Sequence, residues 1–281
     1  MFGNKKKILV YVLISLLVSI TYIGQASAAD YENYFGIEMT NAEYNTLLNL
    51  GFTEDEIYYM NEETYLENKD ADATLVTKNE KYYKTVYTDL NGNPYSVEVD
   101  QDEYNNQPTL NARNIVTTEY KQMITTISQN GSKFRYKVSL AWKNMPSTKD
   151  YDIIGIGFAD DVKIDSSLYF SYHWCKSSGD CYTESYFRNR KSTSTGGAVM
   201  YQLPSNPVAL SSTLYYDVSK DTTDTITYLK MCGDYAHAQS EINVSYASDY
   251  YISIGGIGLS GNLISYYDTI PCAISTWSGS W

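Results

Sequence analysis

The chain has 281 residues, 43% of them hydrophobic and 19% charged, with a net charge of −12. That charge is uneven: residues 30–110 hold 18 Asp and Glu against 4 Lys, while residues 111–281 hold 15 acidic against 14 basic side chains. An acidic segment of this kind repels nucleic-acid phosphate and anionic lipid, so neither is expected as a partner.

The chain opens with Lys5, Lys6 and Lys7, an apolar run from Ile8 to Ile23, and the small-residue pattern Ala26-Ser27-Ala28. This three-part layout predicts a secretory signal over residues 1–28, cleaved on export. The apolar run is short for a bilayer that needs about 20 residues, and no second run of spanning length follows. The expectation is a secreted, extracellular protein with no membrane span after cleavage.

Residues 29–104 are expected to form an acidic helical module followed by a β-hairpin. Thr40 with Glu43, and Thr53 with Glu56, are capping boxes, each placing a hydroxyl and a carboxylate on the free amides of a helix start. Met39 with Tyr44 and Phe52 with Ile57 are the flanking apolar staples, Gly51 closes the first helix, and Asn61 caps a third. Each helix spans about two turns, too short to hold alone, so packing must supply the rest. Residues 79–100 alternate as a hairpin around Asn91-Gly92-Asn93-Pro94. Asp89 and Asn91 resemble the start of a calcium loop but lack its later acidic ligand. The polar stretch 105–114 reads as a linker.

From residue 115 to 281 about ten β-branched or aromatic runs are broken by Gly, Pro, Asn and Asp. This spacing predicts an antiparallel β-sandwich, jelly-roll-like, with a barrel as the alternative; the whole chain is then α+β and mainly β. Its four cysteines, Cys175, Cys181, Cys232 and Cys272, allow three pairings. The simplest joins Cys175 to Cys181 and Cys232 to Cys272, with the longer loop contributing about 4 kcal/mol in the chain-entropy model. Without a Cys-x-x-Cys and with only His173 and His237 to add, a zinc site is not expected.

The letters of a dinucleotide fingerprint occur at Gly256-Ile257-Gly258-Leu259-Ser260-Gly261, within β-patterned sequence and without the strand-turn-helix context they need. His237 lies near Asp234 and Glu241, and His173 near Cys175 and Asp180, so either imidazole offers a general base or a ligand. No cofactor is expected: Asp150 and Asp152 share a strand face and, with Asp160, Asp161, Asp221 and Asp224, are the oxygen donors a calcium site would draw on, but Asp-rich turns are more often turns whose side chains bond their own backbone.

Tyrosine is the compositional outlier, with 30 residues. Doublets at Tyr58-Tyr59, Tyr82-Tyr83, Tyr215-Tyr216, Tyr250-Tyr251 and Tyr266-Tyr267 place rings on opposite faces wherever they fall in strands. One ring of each would enter the core and its neighbour would face solvent or a partner. The candidate contact residues are Tyr216, Tyr251, Tyr267, Trp174 and Trp277.

The string from Thr40 through Leu47-Leu48-Asn49-Leu50-Gly51-Phe52-Thr53-Glu54-Asp55-Glu56-Ile57 resembles a segment of uncharacterised exported proteins of Gram-positive bacteria, which implies no activity. Leu50-Gly51-Phe52 between two helices is also similar to ubiquitin-associated domains, from which no function is carried over. The favoured function is an extracellular binding protein for glycan or protein. The alternatives are a secreted hydrolase using Asp152, Asp234 or His237, and a membrane-active β-rich toxin.

Overall fold

The computed structural model describes residues 29–86, 95–106, 119–159, 161–240, 250–260 and 267–281. The expected signal segment, the turn at 91–94, most of the linker, and the strand runs at 242–246 and 263–266 lie outside the described residues.

Three short helices form where the capping residues place them: α1 (Asn41–Asn49), α2 (Glu54–Tyr58) and α3 (Glu62–Asn68). Thr40 Oγ1 accepts from the Glu43 amide at 3.2 Å, and Glu43 Oε2 accepts from the Thr40 amide at 2.8 Å. Thr53 and Glu56 repeat this arrangement at 3.2 and 2.7 Å, and Asn61 Oδ1 accepts from the Thr64 amide at 2.9 Å. A two-residue pair, β1 (Tyr31–Glu32) with β2 (Glu38–Met39), precedes the helices. Gly51 ends α1 with φ +89°, and a Cβ there would sit 2.3 Å from Thr126 Oγ1. The glycine is therefore required twice, for the left-handed turn and for the close approach to the sheet below.

Two antiparallel sheets build the sandwich, as expected from the strand spacing. The larger runs β10 (Cys181–Glu184), β9 (Tyr169–Cys175), β13 (Ala209–Lys220), β6 (Lys133–Trp142), β5 (Tyr120–Asn130), β3 (Ala73–Val86), β4 (Tyr95–Val99), with β8 (Val162–Ile164) also on β13. The smaller runs β11 (Asn189–Thr193), β12 (Gly196–Gln202), β7 (Tyr151–Phe158), β14 (Tyr228–Ala238), β17 (Tyr267–Thr269), with β18 (Ala273–Ser278) also on β14. Inward-facing Tyr136, Val138, Leu140, Ile154, Ile156, Phe158, Leu214 and Tyr216 fill the space between them. The hairpin β3–β4, expected with the helical module, instead extends the large sheet, where β3 pairs with β5 from Ala73↔Asn130 to Lys84↔Tyr120. A fourth short helix, α4 (Gln101–Asn105), capped by Asp100, follows β4 and ends where the linker was expected to begin.

Both sheets are also covered on their outer faces. The hairpin β15 (Tyr250–Ser253) with β16 (Gly256–Leu259) lies on Ile153, Ala198, Met200 and Ala236 of the small sheet. It sits so close that a Cβ on Gly157 would stand 1.9 Å from the Ser253 carbonyl oxygen. The helical module covers the large sheet, packing Met39, Leu47, Leu50, Phe52 and Ile57 onto Tyr215.

The disulfides are Cys175–Cys181, a cross-strand link between β9 and β10, and Cys232–Cys272, which ties β14 to the segment entering β18. No helix among the described residues is long and apolar enough to cross a membrane.

Under the helical module lies a buried ion pair. Lys137 Nζ donates to Glu56 Oε2 at 2.7 Å and to the Gly51 carbonyl at 3.0 Å. Ser139 donates to Glu56 Oε1 at 2.6 Å, and Thr213 donates to the same oxygen. Burial alone would raise the Glu56 carboxyl, but the Lys137 ammonium and these hydroxyls hold it below its ordinary value. Glu56→Gln leaves the ammonium of Lys137 buried without its counter-charge, at a cost of about 3–5 kcal/mol. The exposed control Glu62→Gln is expected to stay within about 0.5 kcal/mol of the wild type. Urea unfolding of the two variants checks the difference.

Candidate functional site

A half-open groove of about 520 Å³ runs between α2 and the outer face of the large sheet. Thr53, Glu54, Asp55 and Tyr59 form one wall, and Gln122, Ile124, Ser139 and Ser211 from β5, β6 and β13 form the other, with Lys78 and Glu80 of β3 at its edge. The groove exists because α2 is held above the strands by Glu56, which meets Lys137 and Ser139, while its other two acidic residues, Glu54 and Asp55, are exposed.

The two sides of the groove differ in charge balance. Glu80 is compensated: it accepts from Tyr82 at 2.5 Å and from Gln122, and lies 3.3 Å from Lys78. Glu54 and Asp55 make no ion pair among the described residues and wall a second hollow of about 280 Å³ on the other side of α2. Its remaining lining includes Tyr31, Tyr44, Tyr58 and Glu32. Tyr31 and Tyr44 stack at 4.1 Å with an interplanar angle of 12°. Burial, then the neighbouring Glu54 charge, pushes the Tyr44 phenol above its ordinary value, so the carboxylate field reaches the rings. Tyr34, Phe35 and Tyr58, each about 40% exposed or more, continue this aromatic surface.

His173 closes one end of the groove. Its ring stacks on Tyr59 at 3.7 Å, and Thr183 Oγ1 donates to the Tyr59 carbonyl at 2.7 Å. Burial lowers the imidazole to about 4, so it is neutral at physiological pH.

The residues proposed from the tyrosine excess fall elsewhere. Tyr216 is a correction: it is fully buried between the sheets, donating to the Ile156 carbonyl at 2.9 Å. Its neighbour Tyr215 is buried as well, under Phe52, because the helical module covers this part of the sheet's outer face. Tyr267 is a second correction, 4% exposed, with its hydroxyl on the Tyr151 carbonyl at 2.8 Å. Tyr251 does face out, 53% exposed, across from Gly258 on the outer hairpin. Trp174 is half-buried and stacked on Tyr182 at 4.6 Å, with its indole N–H on Glu184 at 3.1 Å. Trp277 is half-buried against Phe134 at 4.9 Å. These side chains belong to five different strands, and none lines either hollow.

The catalytic candidates are also divided. His237 Nδ1 lies 2.9 Å from Asp152 Oδ1, which also accepts from the Ala238 amide at 3.0 Å, and both side chains are fully buried. Asp234 is on the opposite face of the same strand, since residues three apart alternate faces. There it accepts from the Ile257 amide at 2.8 Å and anchors the outer hairpin; burial pushes its carboxyl up to about 7. Neither described groove is lined by any of the three. The one cluster of potential metal ligands found among the described residues is His173, Cys175 and Cys181, whose two sulfurs are bonded to each other. Asp152, considered for calcium, is occupied by His237, Tyr235 and the Ala238 amide.

No family model matches this sequence, and no curated protein matches it. Among solved structures, the chain is similar to the collagen-binding domain of the Erysipelothrix rhusiopathiae surface protein RspB, at 8% identity over 58% of this chain and 66% of that one, with a TM-score of 0.27. It is also similar to a structure named BspA_C_WT, at 6% identity over 59% and 79% with a TM-score of 0.27. A third is a pore-forming protein, at 8% identity over 73% and 94% with a TM-score of 0.26. At these scores the likeness carries no argument, and the sandwich rests on the strand pairing of this chain alone.

The lowered His173 value fixes a pH dependence. The unfolded imidazole binds a proton near 6.5 and the folded one near 4, so this group's stabilising contribution is full above pH 6.5 and is lost as pH falls towards 4. The difference in urea midpoint between wild type and His173→Asn should shrink steadily from pH 7 to pH 4.5. A constant difference would show that the stacked ring does not titrate this way.

Proposed function

We infer that this is an extracellular binding protein whose contact surface is the acidic and aromatic ground on both sides of α2, and that it takes a basic segment of a protein ligand. The observation that carries this reading is the pair Glu54 and Asp55, which wall two hollows and lack a cationic partner among the described residues. Carboxylates beside exposed tyrosine faces attract Lys and Arg, by charge and by the ring quadrupole. The acidic excess of residues 30–110 adds long-range steering of the same sign. Two disulfides fit an oxidising, extracellular setting. The hydrolase reading finds no support in the geometry, since Asp152 and His237 are closed off from both hollows.

Surface plasmon resonance against extracellular-matrix proteins, with a glycan array in parallel, tests the reading. Retention of a protein ligand should fall about tenfold or more, equivalent to 1.4 kcal/mol, in Glu54→Gln/Asp55→Asn, and similarly in Tyr58→Ala. Tyr251→Ala, on the far sheet, should bind as the wild type does. Retention by glycans alone, or loss of binding only in Tyr251→Ala, would overturn the assignment.

A further inference from the structure

Lys121 of β5 and Asp268 of β17 meet at the interior of the sandwich, and both side chains are 0% exposed. Lys121 Nζ lies 2.7 Å from Asp268 Oδ2 and 3.1 Å from Ser96 Oγ. The same carboxylate oxygen accepts from Ser96 at 2.7 Å and from Thr85 at 3.0 Å. One oxygen thus collects three donors while Oδ1 is buried with no hydrogen-bond partner among the described residues. Glu119, two residues before Lys121 and so on the same side of the chain, is 1% exposed, and its Oε2 also lacks a hydrogen bond. His237, directly opposite Asp268 in the strand register, holds a third such atom, Nε2, at 3.8 Å from Glu119 Oε2.

Three orphaned polar atoms around one fully desolvated ion pair are costly to bury, and native interiors seldom keep them without a reason. An amino nitrogen and a carboxyl group 2.7 Å apart are the two partners of an amide condensation, held in contact by the fold rather than by encounter.

We propose that Lys121 and Asp268 are joined by an intramolecular amide bond that the folded chain forms by itself, with Glu119 as proton carrier. The Lys121 Nζ lone pair attacks Asp268 Cγ and the Nζ–Cγ bond forms. The Cγ–Oδ2 bond then breaks, and Oδ2 leaves as water with two protons given up by Nζ and passed through Glu119. Oδ1 remains as the amide carbonyl, and nothing is oxidised or reduced. The hydroxyls of Ser96 and Thr85 already sit on the oxygen that departs, where they stabilise it as it leaves. Loss of water from a dry core opposes the reverse reaction. The bond would tie the large sheet to the small one across 147 residues.

The full secreted chain, reduced and alkylated, is weighed and then mapped by tandem mass spectrometry. The expected mass is below the sequence value by one water, about 18 Da, with a branched peptide linking Lys121 to Asp268. Lys121→Met should restore the missing mass and lower Tm by roughly 10 °C or more. Glu119→Gln, shown folded by circular dichroism, should retain the full mass or lose water at least tenfold more slowly. A wild-type mass equal to the unlinked sequence overturns the bond. So does a water loss that persists in Lys121→Met, which would place it at another pair such as Lys137 with Glu56. Wild-type linkage in Glu119→Gln overturns the proton-carrying role.

Discussion

The contact between Glu56 and Lys137 is the constraint on which the arrangement of this protein depends. Glu56 serves two structures at once, since one oxygen completes the capping box of α2 and both reach the strands beneath. A helix of five residues has no stability of its own. Its position is set by a charge that cannot be left unpaired in the interior, and by Gly51, which lets the chain approach β5 closely enough for the pair to form. The groove, the second hollow and the outward direction of Glu54 and Asp55 all follow from where α2 is held.

Covering both outer faces has a second consequence. In a sandwich with solvated outer faces, adjacent tyrosines divide between core and solvent. Here Tyr215 lies under the helical module and Tyr216 between the sheets, and the polar tip of each finds a partner, Asn68 for one and the Ile156 carbonyl for the other. Much of the tyrosine excess is thus spent on filling two interfaces with large rings whose hydroxyls stay hydrogen-bonded. Of the rings that stay exposed, Tyr31, Tyr34 and Tyr58 gather on the small N-terminal module beside Glu54 and Asp55, whereas Tyr186, Tyr228 and Tyr251 lie apart on other strands and loops.

Local features were legible in the sequence wherever the interaction is local. The capping boxes at Thr40 and Thr53, the cap at Asn61 and the turn glycine Gly51 all stand where residue spacing put them, because each involves atoms within four residues. Strand runs such as 134–142 and 151–158 were equally readable, since their period depends on the pleat alone. The edge strands β8, β10 and β11 were not, being only three to five residues long, too short for a period to stand out. The place of the β3–β4 hairpin was also hidden: its strands are evident from alternation, but the sheet they join depends on pairing with β5, some 45 residues later. The acidic run at 54–56 was visible as a favourable helix start, and that local explanation concealed its role at the groove.

By itself the sequence determined the helix starts, the strand-rich character of the chain, its acidic first third and a set of cysteines that can pair. Those properties are fixed by composition and by contacts between near neighbours. Only the tertiary structure decided which tyrosines are exposed, which face each aspartate of β7 and β14 occupies, and which buried lysine meets which carboxylate. Lys121 and Asp268, or Lys137 and Glu56, are ordinary charged residues in the sequence. What distinguishes them is burial against a partner from a distant segment, between the two sheets for Lys121 and Asp268 and under the helical module for Lys137 and Glu56, and that is a property of layers closing together rather than of any one segment.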